Sequence, residues 1–366
     1  MRSETLERVV LFAGTCLCFA FAIGCFQESI GPIPSDPETL REELFKAVKY
    51  AGPRRCEALI EAGAQVDARD LEGWTPLHYA INRMRNPKQR DSRASRVLIE
   101  AEGADINAVG NDGSTPQILA ARHGAIEVLD LLIEHGADLG RRGDHGITLL
   151  MEAASSSRTE MAGHLIALGA DINASADDGA MPISFAARHG AVEVLDLLLE
   201  HGATLDQRDK RGMTLLMEAV NFRRIEMVAH LIERGADVNA ELPDGGTALF
   251  VAVSRGNPAV VRLLIEHGAN VNGSEKAASP ITFAPSLANA EIVGMLLEAG
   301  ADVNSVEFRS GMTPLHRAVS SGPSMIEFLL KAGAKGDVLN HEGLTARDLA
   351  VESGSTESIR LLSTNF

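Results

Sequence analysis

The dipeptide Gly-Ala begins at Gly63, Gly103, Gly136, Gly169, Gly202, Gly235, Gly268, Gly300 and Gly333, so successive steps are 40, 33, 33, 33, 33, 33, 32 and 33 residues. A period held that long dictates a stack of like supersecondary units rather than a globule around one central core. From Gly179 to Ala219 one unit runs into the next: a turn, two short helical patterns, then an extended finger of the GADVNA type. No unit of this size buries its apolar side chains alone, so each takes its core from its neighbours. A chain of 366 residues would ordinarily divide into two domains or more, yet the unbroken period predicts one all-α repeat solenoid over 38–366. It would hold about ten units, the first degenerate and the last ending without a finger, as capping units do.

Two segments, Gly73-Trp-Thr-Pro-Leu-His-Tyr-Ala80 and Gly311-Met-Thr-Pro-Leu-His-Arg-Ala318, carry the fullest version of the unit's opening. Glycine suits the tight turn, threonine is placed to cap the first helix, and proline takes the first helical position, where its missing N–H is not needed. Leu77 and Ala80 then face inward at i and i+3. This T-P-L-H-x-A pattern, on this period, resembles the ankyrin repeat family. The resemblance implies a helix-turn-helix and a β-hairpin finger in each unit. It also implies a non-enzymatic protein that binds other proteins on a concave face of finger tips and first-helix surfaces.

Carried onto this chain, that face holds Trp74 and Arg83 in the second unit, Ser114, Arg122 and His123 in the third, and Ile147 and Ser155 in the fourth. Arg188 and His189 follow in the fifth, Met213, Asn221 and Phe222 in the sixth, Arg255 in the seventh and Met312 in the ninth. Trp74, Met213 and Phe222 weigh most. The chain has a single tryptophan, and it falls at a variable turn position rather than a core one. Phe222 stands where other units have arginine or histidine, and exposed aromatics and arginines are the usual hot spots of interfaces.

The second helix of the third unit, Ile126 to Ile133, predicts Val128, Leu129, Leu132 and Ile133 inside, with Glu127, Asp130 and Glu134 in water. It should end at Gly136, a residue free to turn left-handed. The sequence of Ala121 to Asp130 nearly recurs at Ala187 to Asp196, and Thr148 to Ala153 recurs at Thr214 to Ala219, which points to duplication of a two-unit block. Both copies replace Pro-Leu-His with Leu-Leu-Met, so their first helices should start less crisply. In the eighth unit Pro285 falls inside the expected first helix and predicts a kink or local loosening. The second unit is longer by seven residues (40 − 33), and the excess lies around Asn82 to Arg96, the one basic cluster in the chain, with Arg54 and Arg55 at the matching place in the preceding unit. It reads as a solvated loop tip or as a contact for an acidic partner or lipid headgroups.

A net charge of −16 disfavours non-specific attraction to nucleic acid or anionic lipid and favours a soluble monomer. Arg2 and Arg8 precede an apolar run, Val9 to Phe26, that ends Ala22-Ile-Gly-Cys25. Residues 1–24 read as a signal peptide or membrane anchor, and the small residues before Cys25 resemble the bacterial lipobox, in which that cysteine is lipidated. Another signal peptide or an uncleaved anchor stays open, since Glu4 and Glu7 dilute the basic end and the run is nearly long enough to span a bilayer. Residues 25–37 are a Pro-rich spacer that would hold the array off a membrane surface. The expected place is the cell envelope, lipid-anchored or periplasmic; a secreted effector that binds host proteins and a membrane-spanning protein are the alternatives.

No disulfide framework or zinc spacing exists among Cys16, Cys18, Cys25 and Cys56, and Cys56 reads as a small buried residue. Asp171 to Gly179 offers oxygen ligands at alternate positions but has Ala176 where a calcium loop needs glycine and Pro182 where it needs glutamate. His135, His201 and His267 sit just before the glycine that ends a second helix, where a cation suits the helix dipole. The sequence holds no nucleophile elbow, Walker loop, zinc-protease or dinucleotide motif, so no cofactor and no metal are expected.

Overall fold

The computed structural model describes residues 31–86, 91–274, 277, 279–287 and 289–364. The apolar run with Cys16, Cys18 and Cys25, and part of the basic insertion, lie outside the described residues. The helices come in pairs, one pair per repeat. They are α1 (Pro37–Lys46) and α2 (Pro53–Glu61), α3 (Pro76–Asn82) and α4 (Arg93–Glu100), α5 (Pro116–His123) and α6 (Ile126–Glu134). Next come α7 (Leu149–Ser155) and α8 (Thr159–Ala167), α9 (Pro182–His189) and α10 (Val192–Glu200), α11 (Leu215–Asn221) and α12 (Ile225–Glu233). The last are α13 (Ala248–Ser254) and α14 (Pro258–Glu266), α15 (Pro280–Phe283) and α16 (Ala290–Glu298), α17 (Pro314–Ala318) and α18 (Pro323–Lys331), α19 (Ala346–Ser353) and α20 (Thr356–Thr364). The chain falls into two compact bodies, one running to Pro116 and including Asp130–Ala137, the other made of Gln117–Leu129 and Asp138 onward.

In the first body α3 packs on α4 and α2 on α4, and Leu44, Leu59, Leu77, Ile81 and Leu98 fill the space between them, each at most 3 % exposed. In the second body first helices lie side by side, α7 against α9, α9 against α11 and α11 against α13. Second helices do the same, α8 against α10 and α14 against α16. Helices of seven to nine residues are too short to hold alone in water, so this lateral burial of Leu150, Met151, Ile183, Leu195, Leu216 and Leu249 is what stabilises them.

Eight of the nine landmark glycines end second helices as expected; Gly103 is the exception, since α4 already stops at Glu100 with Ala101 extended. All nine have φ between +83° and +102°, and a Cβ added at any of them would meet nothing within 4 Å. The requirement is therefore conformational and not steric: only glycine adopts this left-handed geometry at no cost.

Several local expectations are corrected. In α6 Val128, Leu129 and Leu132 are buried, but the further buried residue is Leu131 at 5 % exposure, while Ile133 and Asp130 are intermediate. Positions 131 and 133 flank the apolar stripe at about 100° on either side, so packing rather than periodicity chooses between them. The helices lacking Pro-Leu-His start no less sharply: the hydroxyls of Thr148 and Thr214 accept from the Met151 and Met217 amides, each at 3.3 Å. The threonine cap suffices without the proline. The helix holding Pro285 does loosen, since α15 stops at Phe283 and continues as a 3₁₀ turn over Ala284–Leu287. The fingers double back but extend no ladder, and Arg208 to Thr214 is the isolated bridge found among the described residues. Described fingers are closed instead by isolated backbone bonds, such as Gly110 N–H to the Ser114 carbonyl at 2.9 Å or Asp209 N–H to that of Met213 at 3.1 Å.

Candidate partner-binding surface

The finger that enters α3 is organised by a carboxylate. Asp70 accepts from the Trp74 amide at 2.8 Å, from the Glu72 amide at 3.1 Å and from the Tyr79 hydroxyl at 2.6 Å. Burial pushes its carboxyl up, yet these bonds outweigh it and hold Asp70 below the ordinary carboxylate value. The Tyr79 phenol is pushed up, by burial first and then by the carboxylate it donates to. One finger further on, Asp112 accepts from the Ser114 hydroxyl at 2.9 Å and the Trp74 indole N–H at 3.2 Å. Its carboxyl too is held low against burial by those bonds.

Three rings pack over this frame, Phe45 to Tyr79 at 5.8 Å and Tyr79 to Trp74 at 5.2 Å, both edge to face, with the His78 ring 5.5 Å from Trp74. The indole also lies against the Gly110 backbone, where an added Cβ would stand 2.7 Å from Trp74 Cδ1. Gly110 is thus a glycine for clearance and not for its backbone angles. An open cleft of about 600 Å³ results, lined by Leu71, Glu72, Trp74, Tyr79, Asn111 and Asp112. Leu71 is 95 % exposed at the tip. Sequence reasoning passed over it, although the signal was there: the same turn position holds Asn111, Asp144, Asp177 and Lys210 in the following repeats.

The other residues assigned to the face divide by environment. Ser114 and His123 are 3 % exposed and Met213 9 %, so these three are fold residues and not contact residues. Ser114 is consumed by Asp112 and His78, and Met213 closes its finger through its amide and carbonyl. Ile147 is partly buried against Met151, and Met312 is of intermediate exposure. Arg122 is spent in a bidentate pair with Glu152, both bonds 3.1 Å, while the Ser155 hydroxyl donates to the Glu152 carbonyl at 3.0 Å. Asn221 Oδ1 accepts from Arg255 at 2.9 Å. His189 is exposed, its Nδ1 bonded to the Phe185 carbonyl at 2.9 Å. Phe222 remains 46 % exposed, with Ile225 beside it at 44 %.

Arg188 is the centre of an ion cluster. It lies 2.9 Å from Asp178, 2.8 Å from Glu218 and 3.7 Å from Asp209, and Arg211 reaches Asp209 at 2.9 Å and Glu218 at 3.3 Å. The Asp209 and Glu218 side chains are 1 % exposed. Charges this deeply buried are tolerable only because they are paired.

The described part of the basic insertion is largely satisfied from within. Arg83 donates to the Val48 carbonyl, Arg93 pairs with Asp91 at 2.8 Å and Arg96 with Glu100 at 3.1 Å. Arg55 binds the spacer instead, donating to the Gly31 carbonyl at 2.5 Å and the Pro32 carbonyl at 2.9 Å. His135, His201 and His267 each bond Nδ1 to the carbonyl four residues back, at 2.8 to 2.9 Å, a helix-end contact that a neutral ring makes as well as a charged one.

Comparison with known proteins agrees with this architecture. Models described as ankyrin repeats match residues 88–176, 150–242 and 235–307, a further ankyrin-repeat model matches 44–89, and a single-repeat model matches 310–341. Among curated proteins, human neurogenic locus notch homolog protein 1 is 34 % identical over 91 residues, 25 % of this chain and 3 % of that one. Mouse neurogenic locus notch homolog protein 2 is 36 % identical over 80 residues, 22 % of this chain and 3 % of that one. The chain therefore spans a small fraction of the length of these relatives. The crystal structure of the human ASB11 ankyrin repeat domain superposes with a TM-score of 0.54 and 25 % identity, covering 61 % of this chain and 99 % of that one. With family models matching most of the sequence between residues 44 and 341, the chain belongs to the ankyrin repeat family.

Proposed function

We propose that this chain is a non-enzymatic scaffold, exported and tethered to the cell envelope through a lipid on Cys25, that binds a partner protein along its finger tips and first-helix ends. Ankyrin repeats typically mediate protein–protein interaction, and the observation that supports the reading here is where large apolar side chains are left in water. Leu71 at 95 %, Phe308 at 80 % and Phe222 at 46 % exposure stand at finger tips or just past a first helix, outside the repeat core. Apolar and aromatic groups held there by a rigid scaffold have little to do for the fold and much to offer a partner.

The tether rests on the apolar run and the Ala22-Ile-Gly-Cys25 sequence. Metabolic labelling with a radiolabelled fatty acid, comparing wild type with Cys25→Ser, tests it: label lost in the variant is the expected result, and no label in either form would reject the lipoprotein and favour a secreted or membrane-spanning protein. For the interface, a photo-crosslinker at position 222 in intact cells identifies the partner, and purified partner is then titrated. Phe222→Ala together with Trp74→Ala should weaken binding by about 2 kcal/mol or more. Unchanged affinity would remove this face from the interaction.

A further inference from the structure

The Trp74 cleft carries more chemical information than an apolar patch, and the charged side chains that line it are carboxylates. Its lining includes the carboxylates of Glu72 and Asp112, no lysine or arginine, and the rings of Trp74 and Tyr79. Asp112 is spent on the indole N–H and Ser114, and Asp70, behind the cleft, on Tyr79 and two backbone amides. These bonds fix the rings before any ligand arrives, so little ordering remains to be done on binding. Donation of the Tyr79 hydroxyl to a carboxylate at 2.6 Å also makes the ring more electron-rich. One face of it already holds a cation, since Lys49 Nζ stands 3.8 Å from the ring centroid. Nearby Arg69 is already engaged, donating to the Val109 carbonyl at 2.7 Å and the Gly73 carbonyl at 3.4 Å and pairing with Asp105 at 3.3 Å. Glu72 and Asp112 are both exposed, Asp112 already engaged by the indole and Ser114, and Leu71 beside Glu72 offers apolar surface.

We propose that this cleft receives an arginine side chain from a basic segment of the partner, the guanidinium lying against the Trp74 and Tyr79 rings and pairing with Glu72, and its methylenes covering Leu71. The proposal rests on the protein-binding reading above and specifies the partner's chemistry at one place on it. Arginine fits better than lysine because its cation is planar, weakly hydrated and able to stack and to pair bidentately at once. The net charge of −16 acts in the same direction at long range, drawing basic segments toward the chain.

Trp74 is the only tryptophan in the sequence, so its fluorescence reports on this cleft alone. The full chain is titrated at constant ionic strength with acetyl-Leu-Arg-Leu-amide and with the same peptide carrying citrulline, which keeps the shape of arginine and removes its charge. A saturable emission change is expected with the arginine peptide, with citrulline in wild type, or Glu72→Gln with the arginine peptide, weaker by about tenfold, the equivalent of one charge-assisted pair. Glu72 is exposed and outside the core, so Glu72→Gln leaves the fold intact, and circular dichroism checks this. Equal midpoints for the two peptides would overturn the arginine assignment while leaving a protein-binding surface in place. No saturable change with either peptide would overturn the cleft as a receptor, and the Phe222 titration with purified partner would still decide the broader reading.

Discussion

His78 ties one repeat to the next: its Nδ1 accepts the Thr75 N–H at 3.1 Å, so its Nε2 carries the proton and donates to the Ser114 carbonyl at 3.2 Å. His316 repeats the arrangement with Thr313 and the Leu344 carbonyl, at 3.1 Å each. Both rings are buried, at 0 % and 3 % exposure. The histidine of T-P-L-H-x-A thus serves two helices' worth of backbone as a neutral ring, and a second proton on it would break the bond to threonine.

That has a pH consequence. Burial, the largest influence, lowers both histidines below their ordinary value of 6.5. The unfolded chain therefore binds more protons than the native one as pH falls below about 6.5, and native stability falls with it. The contribution is complete above that pH and is lost as pH drops through the lowered native value. Urea midpoints at pH 7.5 and pH 5 should separate more for wild type than for His78→Gln with His316→Gln. An identical separation would contradict the neutral-bridge assignment.

Leu132, fully buried in α6, tests the stacked core. Leu132→Ala should cost about 2 to 5 kcal/mol, the transfer loss plus the cavity left behind. A denaturation midpoint equal to that of wild type would show that the side chain is not packed as described.

Arg188 offers the electrostatic counterpart. Arg188→Ala leaves the Glu218 carboxylate, 1 % exposed, with only the longer contact to Arg211, and should lose about 3 to 5 kcal/mol. Arg188→Met combined with Glu218→Gln should recover a large part of that, since the uncompensated charge is gone. Chemical denaturation of the two variants side by side is the measurement, and equal losses would mean that the carboxylate is not the source of the cost.

At Gly110 the expected effect is local. Gly110→Ala places a methyl 2.7 Å from Trp74 Cδ1, so the indole must shift and its bond to Asp112 must lengthen. A cost of about 1 to 3 kcal/mol is typical of such overpacking. The emission maximum of the single tryptophan should move to the red and become easier to quench with acrylamide. An unchanged spectrum would place the ring elsewhere.

The architecture was legible in the sequence because repetition samples the same physics many times over. Glycines ending eight second helices, threonine before seven of the ten first helices and an apolar stripe on each second helix are local rules, and local rules survive reading one residue at a time. Even the break at Pro285 followed from a missing N–H. The binding surface was not legible in the same way. Ser114, His123 and Met213 sit at positions that the family resemblance exposes, yet they are buried, and Arg188 turns into an ion cluster: Glu218, which pairs with Arg188, and His78, which bonds the Ser114 carbonyl, lie 30 and 36 positions away on other repeats. Leu71 and Phe308, which no periodicity required, are left in water. The sequence by itself determined which helices form, how they are capped and that they stack; which polar groups pair across repeats and which rings stay open to a partner was decided by tertiary structure alone, since burial and electrostatics depend on neighbours in space that the period does not name.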